Sequence, residues 1–264
     1  MLNRRGKLGV VGLGYVGSAL KHTLDFYYNC CGYDLNGNHE WNRIIATDVL
    51  FICVGTPERS GRLDGSSVED VLLHLDTSGY LGIAVVRSTL PIGFMDKATR
   101  RHPKLRLVYM PEFLRERSRL QWTMNPDRLV VSGKEADVEE VLSYFEWAEE
   151  AQVLRMKYRD AELGKLANNA FLAVKVSFTN EIEALCEEHG ASPENVMSVI
   201  WSDRRVKSKD HLTPGLGPYG GKCLPKDVHE LVNASKHGIL IKAADLINTE
   251  LESSGSSRRR ARSR

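Results

Sequence analysis

Cys223 lies in the run GGKCLPKD, Gly220 to Asp227, where two glycines, a thiol, a proline and a carboxylate share eight residues. Glycines let a backbone come close to a ligand, and Pro225 stiffens the turn ahead of Asp227. A thiol presented on such a loop can attack a carbonyl carbon. Free cysteines are more often small core hydrophobes that do no chemistry. Here Lys222 and Lys226 flank the thiol and favour its thiolate, and a glycine pair beside charged residues is poor core material.

The second chemical feature is at the other end. Lys7 to Leu13 reads as a buried strand that runs into GLGYVG, with Gly12, Gly14 and Gly17 in the G-x-G-x-x-G positions. A helix over Ser18 to Leu24 follows, and the apolar run Phe26 to Tyr33 closes on Asp34, 22 residues after Gly12. The three glycines serve a tight turn, room for a pyrophosphate, and close helix-strand packing, with the helix N-terminus facing the phosphates. Asp34 would accept from ribose hydroxyls and repel a 2′-phosphate. No arginine or lysine stands at 35–38 to reverse that, so NAD is expected over NADP.

Three more segments could line a cleft. RSTLPIG, Arg87 to Gly93, ends a predicted strand, where open α/β sheets hold ligands, and offers the Thr89 hydroxyl. In PEFLRE, Pro111 suits a helix start, which would put Glu112 and Glu116 four apart on one face. Lys165 and Asn169 share a face of a later helix, and an ammonium beside a carboxamide can hold a developing oxyanion. Each has a plainer reading: turn chemistry for Thr89, solvated charges for the glutamates, and an exposed lysine with an ordinary asparagine for the third pair.

The elements that must position these groups can be read from periodicity. Val49–Val54, Gly82–Arg87, Leu105–Met110, Arg128–Ser132 and Gln152–Met156 are continuous apolar or β-rich runs of the kind buried on both faces. Val68–Leu75 and Asp137–Ala148 have helical spacing, so the fold class is α/β, a doubly wound parallel Rossmann sheet. After Tyr158 the pattern becomes helical. Residues 159–190 predict one long helix that ends at Gly190 ahead of Ser192-Pro193. Further helices are expected over Glu194–Ser202 and Asp227–Leu251, giving an all-helical dimerisation domain. The expected division is a NAD-binding domain over 1–155, a central helical domain over 156–252, and a basic, disordered tail over 253–264.

Composition excludes several classes. At 264 residues, 42% hydrophobic and 27% charged, the chain can fill one large or two modest cores. Five arginines fall in the last seven residues, and removing their charge from the net +2 leaves −3, so no basic field points to nucleic acid. The five cysteines form no C-x-x-C pair and the eight histidines no H-x-x-x-H, so neither a metal site nor a disulfide framework is expected. No apolar run approaches the ~20 residues of a membrane span, and the N-terminus lacks a signal-peptide core. A reducing cytoplasm is the expected setting.

Taken in order, GLGYVG, CVGTP (Cys53 to Pro57), STLPIG, PEFLRE with NPDRLVVSG (Asn125 to Gly133), the Lys165-Asn169 helix and GGKCLPKD resemble the UDP-glucose/GDP-mannose dehydrogenases. The resemblance covers about residues 7–251 and leans toward the UDP-glucose branch. It implies twofold oxidation of the C6 alcohol of a nucleotide sugar, most simply UDP-glucose to UDP-glucuronate, with two NAD reduced in turn. Cys223 would carry the thiohemiacetal and thioester, and Lys165 and Asn169 would hold the oxyanion. Asp227, with Lys165 and Thr89, would hold a water used in proton transfer. Glu112, supported by Glu116, would activate water for hydrolysis. Gly12, Gly14, Tyr15, Val16, Gly17, Asp34, Val54, Gly55, Thr56 and Thr89 would bind NAD.

Two departures from the family pattern stand out. Its usual third domain is expected to be absent, and only 14 residues separate Asp34 from Val49, where the family inserts more structure. A parallel crossover needs ~10–12, so the link is feasible but tight. Two rival readings stay open: a single two-electron oxidation of a smaller hydroxy compound, and a non-catalytic NAD-binding paralogue. Apolar residues around much of helix 159–190 imply a homodimer through that helix; no membrane or nucleic-acid partner is expected.

Overall fold

The computed structural model describes residues 6–37, 40–114, 118–204, 206, 211, 213, 215–234 and 239–262. In chain order it runs β1 (Lys7–Val11), α1 (Tyr15–Asp25), β2 (Asn29–Tyr33), α2 (Trp41–Ile45), β3 (Val49–Ile52), β4 (Glu58–Arg59), β5 (Arg62–Leu63), α3 (Ser66–Thr77), β6 (Ile83–Val86), α4 (Phe94–Arg101) and β7 (Arg106–Tyr109). Then come α5 (Arg119–Met124), β8 (Arg128–Gly133), α6 (Glu135–Leu142), a 3₁₀ turn over Ser143–Ala148, β9 (Gln152–Arg155), α7 (Tyr158–His189), α8 (Pro193–Ser202), α9 (Leu224–Ala234) and α10 (Ile239–Arg262). The chain divides into two compact units, Met1–Arg59 with Leu63–Lys165, and Ser60–Arg62 with Leu166–Arg264. This division falls inside α7, whose first turns pack with the sheet unit: Ala161 belongs to its core.

In the first unit the apolar runs become a seven-stranded sheet of order β2-β1-β3-β6-β7-β8-β9. Alternate strand residues face opposite sides. Leu50, Ile52, Ala84 and Val86 pack with Ile44, Leu72 and Met95 of α2, α3 and α4, whereas Val49, Phe51, Ile83 and Val85 pack with Leu20 and Leu24 of α1 and Val138 and Val141 of α6. Helices therefore cover both faces, as doubly wound architecture requires. The short link from β2 to β3 is bridged by α2, a five-residue helix with Ile44 buried.

The sheet is mostly parallel. β2, β1, β3, β6 and β7 run the same way, but β8 is antiparallel to β7, and β9 is parallel to β8. Among the described residues the connection from β7 to β8 holds the six-residue α5, which packs on α1. Among the described residues no helix there crosses a sheet face, and the chain returns antiparallel alongside β7. A continuous apolar strand reports burial on both faces and carries no information on direction.

In the second unit, α7 buries Leu166, Ala170, Ala173 and Val176, and the unit also buries Met197, Val228, Leu231 and Ala244. Ser177 Oγ donates to the Ala244 carbonyl at 2.8 Å, and Asn248 holds Tyr219 at both its N–H (2.7 Å) and its carbonyl (3.0 Å). The stop of α7 falls where the sequence places it, with Gly190 at φ 64°. Ser192 caps α8, with Pro193 in its first turn.

The single helix expected over Asp227–Leu251 is two, α9 and α10. Over residues 253–262 of the stretch expected as tail, α10 continues as helix. Among the described residues no helix is long and apolar enough to cross a membrane.

Candidate active site

The glycine loop in the first unit is shaped by steric necessity. Gly12 has φ 87°, and a Cβ there would lie 2.8 Å from the Cys53 backbone; one on Gly17 would lie 1.8 Å from the Gly12 carbonyl oxygen. At Gly14, by contrast, an added Cβ meets nothing within 4 Å. Two glycines hold the turn together and the middle one faces open space, where a pyrophosphate can approach. Helix α1 starts at Tyr15 rather than Ser18, with Gly14 as an N-cap that supplies no side-chain acceptor and no acid in the first turn. Its N-terminal amides suit an anionic ligand. Tyr15 is half exposed under the Arg119 guanidinium, 5.3 Å from the ring centroid, and Val16 is partly buried.

Asp34 does more than the sequence reading gives it. Its Oδ2 accepts from Leu13 N–H at 2.7 Å, and its Oδ1 from Asn36 N–H at 3.2 Å. The carboxylate thus braces the glycine loop from the end of β2. After β3, Val54 is partly buried, Gly55 is exposed with space around it and Thr56 is buried. The Val54 carbonyl accepts from Ser88 Oγ at 2.7 Å, which secures the turn bearing the partly buried Thr89. These residues fit a dinucleotide, with open backbone for phosphates and an acceptor at the end of β2.

Among the described residues no helix starts at Pro111. Residues 111–114 form a loop without regular secondary structure after β7, and Glu112 is held there by two partners: Arg87 donates to its Oε2, and Phe113 N–H donates to Oε1 at 2.8 Å. Claimed on both oxygens, Glu112 is fixed at the sheet's end instead of on a helix face. Glu116 lies outside the described residues. Arg87 is the residue that sequence reasoning passed over, although a charge closing a buried strand was a usable signal. Its side chain is 4% exposed, and its Nε and Nη1 are buried without hydrogen-bond partners. Both residues line a small cavity with Trp122, Thr123 and Arg128. Lys165 is buried at 8% exposure, its ammonium 5.0 Å from the Phe113 ring centroid, so it is not the solvated lysine of the plainer reading.

In the second unit, the cysteine loop leads directly into α9. The helix starts at Leu224, three residues before the expected start, because Pro225 is tolerated in a first turn, where its missing N–H forfeits no helical bond. Cys223 is exposed just ahead of that helix, and its carbonyl accepts from Asp227 N–H at 3.2 Å. Asp227 is fully buried and doubly held, by Asn169 Nδ2 to Oδ2 at 2.6 Å and by Lys226 Nζ to Oδ1 at 2.8 Å. The expectation that both flanking lysines serve the thiol is therefore altered at Lys226, whose ammonium is committed to the carboxylate. Asn169 is buried at 5% exposure. An exposed thiol at a helix N-terminus, with a buried amide-carboxylate pair on the turn behind it, is an arrangement that can support addition to a carbonyl and proton exchange.

Fold and loops together give a Rossmann-type dinucleotide-binding unit followed by a cysteine-bearing helical unit. Residues 32–146 match the NAD binding domain of the UDP-glucose/GDP-mannose dehydrogenase family, and residues 159–250 match its central domain. The UDP-glucose 6-dehydrogenase of Rhizobium meliloti is 36% identical over 213 residues, covering 73% of this chain and 47% of that protein. The UDP-glucose 6-dehydrogenase TuaD of Bacillus subtilis is 34% identical over 205 residues, covering 73% and 43%. Among solved structures, a UDP-glucose dehydrogenase from the hyperthermophilic archaeon Pyrobaculum islandicum superposes with a TM-score of 0.84 at 28% identity, over 94% of this chain and 69% of that one. The chain belongs to the UDP-glucose/GDP-mannose dehydrogenase family and carries its NAD-binding domain. It spans about half the length of the curated relatives it matches.

Proposed function

We propose that this chain is a NAD-dependent nucleotide-sugar 6-dehydrogenase that converts the C6 alcohol of a UDP-hexose, UDP-glucose first among them, to the carboxylate. The observation that carries the reading is the exposed Cys223 at the start of α9, with Asp227 one turn on, buried and bonded to Asn169. Bound NAD supplies the hydride acceptor for each of the two oxidations. Cys223 Sγ adds to the C6 aldehyde, giving a thiohemiacetal that loses a second hydride to become a thioester. Lys165 and Asn169 donate to the oxygen that carries negative charge. Asp227 exchanges the proton, and Glu112 orients the water that cleaves the thioester and returns the thiol.

A reactive free thiol needs reducing surroundings, so cytoplasm is the compartment proposed. Phe171, Phe178 and Leu185 are exposed along α7 at seven-residue intervals, an apolar stripe that supports a homodimer through that helix.

The test is the count of NADH per sugar across a panel of UDP- and GDP-sugars, for wild type and Cys223→Ser. Two NADH per UDP-glucose in wild type, with a stalled first oxidation in the variant, is the expected result. Two NADH per sugar in Cys223→Ser removes the thiol from the mechanism. One NADH from a small hydroxy acid favours a single oxidation, and NADH binding without any turnover leaves a non-catalytic paralogue.

A further inference from the structure

Helix α4 has no cap of its own. Its N-cap is Gly93, at φ 82° with no side-chain acceptor, and the preceding Leu90, Pro91 and Ile92 offer no side-chain oxygen. The missing acceptor comes from α7. Glu162 Oε2 accepts from Gly93 N–H at 2.5 Å and Oε1 from Met95 N–H at 2.7 Å, and Glu162 is fully buried. Arg159, one turn earlier on α7, pairs with Asp96 of α4 at 2.6 Å. Burial raises the pKa of Glu162 above the usual carboxylate value, and the two N–H donors offset that only in part. A neutral carboxamide would be easier to bury, but it has one acceptor oxygen for two donors. The carboxylate matches the geometry of the turn at a cost in desolvation.

The turn it holds bears Thr89. One end of that turn is secured by Ser88 Oγ on the Val54 carbonyl, and the other by Glu162 on Gly93. Glu162 is three residues from Lys165, and therefore on the neighbouring turn of the same helix. We infer that Glu162 is a positioning residue: it ties the Thr89–Gly93 turn to α7 and so fixes where Thr89 stands relative to Lys165. The inference rests on the dehydrogenase reading for the roles of Thr89 and Lys165.

The test uses the full chain with Glu162→Gln, Glu162→Ala, Thr89→Ala and the double variant Thr89→Ala/Glu162→Gln. In Glu162→Ala, amide exchange at Gly93 and Met95 should rise roughly tenfold, and NADH affinity should fall about fivefold. Glu162→Gln should give smaller changes in the same direction with a melting temperature no lower than wild type; it decides the matter if the alanine variant does not fold. In the Thr89→Ala background Glu162→Gln should add nothing to the loss of NADH affinity. Unchanged amide exchange, or faster exchange with NADH affinity intact in both variants, overturns the inference, as does full additivity with Thr89→Ala. None of these measurements uses a sugar, so a chain that binds NADH and oxidises no sugar overturns the dehydrogenase reading alone.

Discussion

The two glycine-bearing loops of this chain are built on opposite principles. In the first unit, Gly12 and Gly17 are pressed against backbone, so the loop is set by packing and its glycines are structurally compelled. In the second, an added Cβ on Gly220 meets nothing within 4 Å, and the neighbouring Cys223 is exposed. What anchors that loop lies behind it, in the buried Asp227 held by Asn169 and Lys226. A cofactor site can thus be rigid in its backbone. A nucleophile needs an open approach, with rigidity supplied from the helix that follows.

The most severe break in this contrast is Gly17→Ala. Its Cβ would sit 1.8 Å from the Gly12 carbonyl oxygen, so the loop and α1 must separate. A loss of about 3 kcal/mol is expected, together with NADH binding, checked by urea unfolding and a fluorescence titration. Wild-type stability and affinity in that variant would show that the loop yields more easily than its geometry implies.

Thiol reactivity should follow the same division. Burial pushes the Cys30 and Cys53 thiols up to about 12, so at pH 8 they remain protonated and poorly nucleophilic. Cys223 is exposed, and iodoacetamide should modify it roughly 100-fold faster than either. Peptide mass spectrometry over a time course reads the ratio, and equal labelling in native protein would mean that the sheet unit opens on that timescale.

A smaller effect is expected at the anchor. Asn169→Ala removes the 2.6 Å donor from a fully buried carboxylate, and should cost about 2 kcal/mol in stability as well as slowing turnover. An unaltered melting curve would place Asp227 in contact with water. The smallest effect belongs to Gly220→Ala, expected within about 0.5 kcal/mol of wild type. A loss as large as that of Gly17→Ala would erase the distinction between the two loops.

What could be read in advance followed from local rules. Continuous apolar runs marked the strands, the glycine spacing marked the turn into α1, and Gly190 with Ser192-Pro193 marked the end of α7, since each depends on residues close in sequence. The early start of α9 is local too: Pro225 is as much at home in the first turn of a helix as in a loop turn. The link from Asp34 to Val49 is short, and among its described residues it holds the five-residue α2.

The sequence by itself determined where the chemistry-bearing groups are: a glycine turn after β1, an acid after β2, a hydroxyl after β6, an ammonium and an amide one turn apart on α7, and a thiol ahead of α9. Only the tertiary structure decided their partners. Arg87 meets Glu112 across 25 residues, Glu162 caps α4 across 67 and 69, and Asn169 reaches Asp227 across 58. The reversed direction of β8 belongs with them, because direction is set by the route of the connection and not by the strand's own residues. Such pairings leave no periodic mark in a chain, for a buried polar group takes whichever donor or acceptor the packed elements bring within reach.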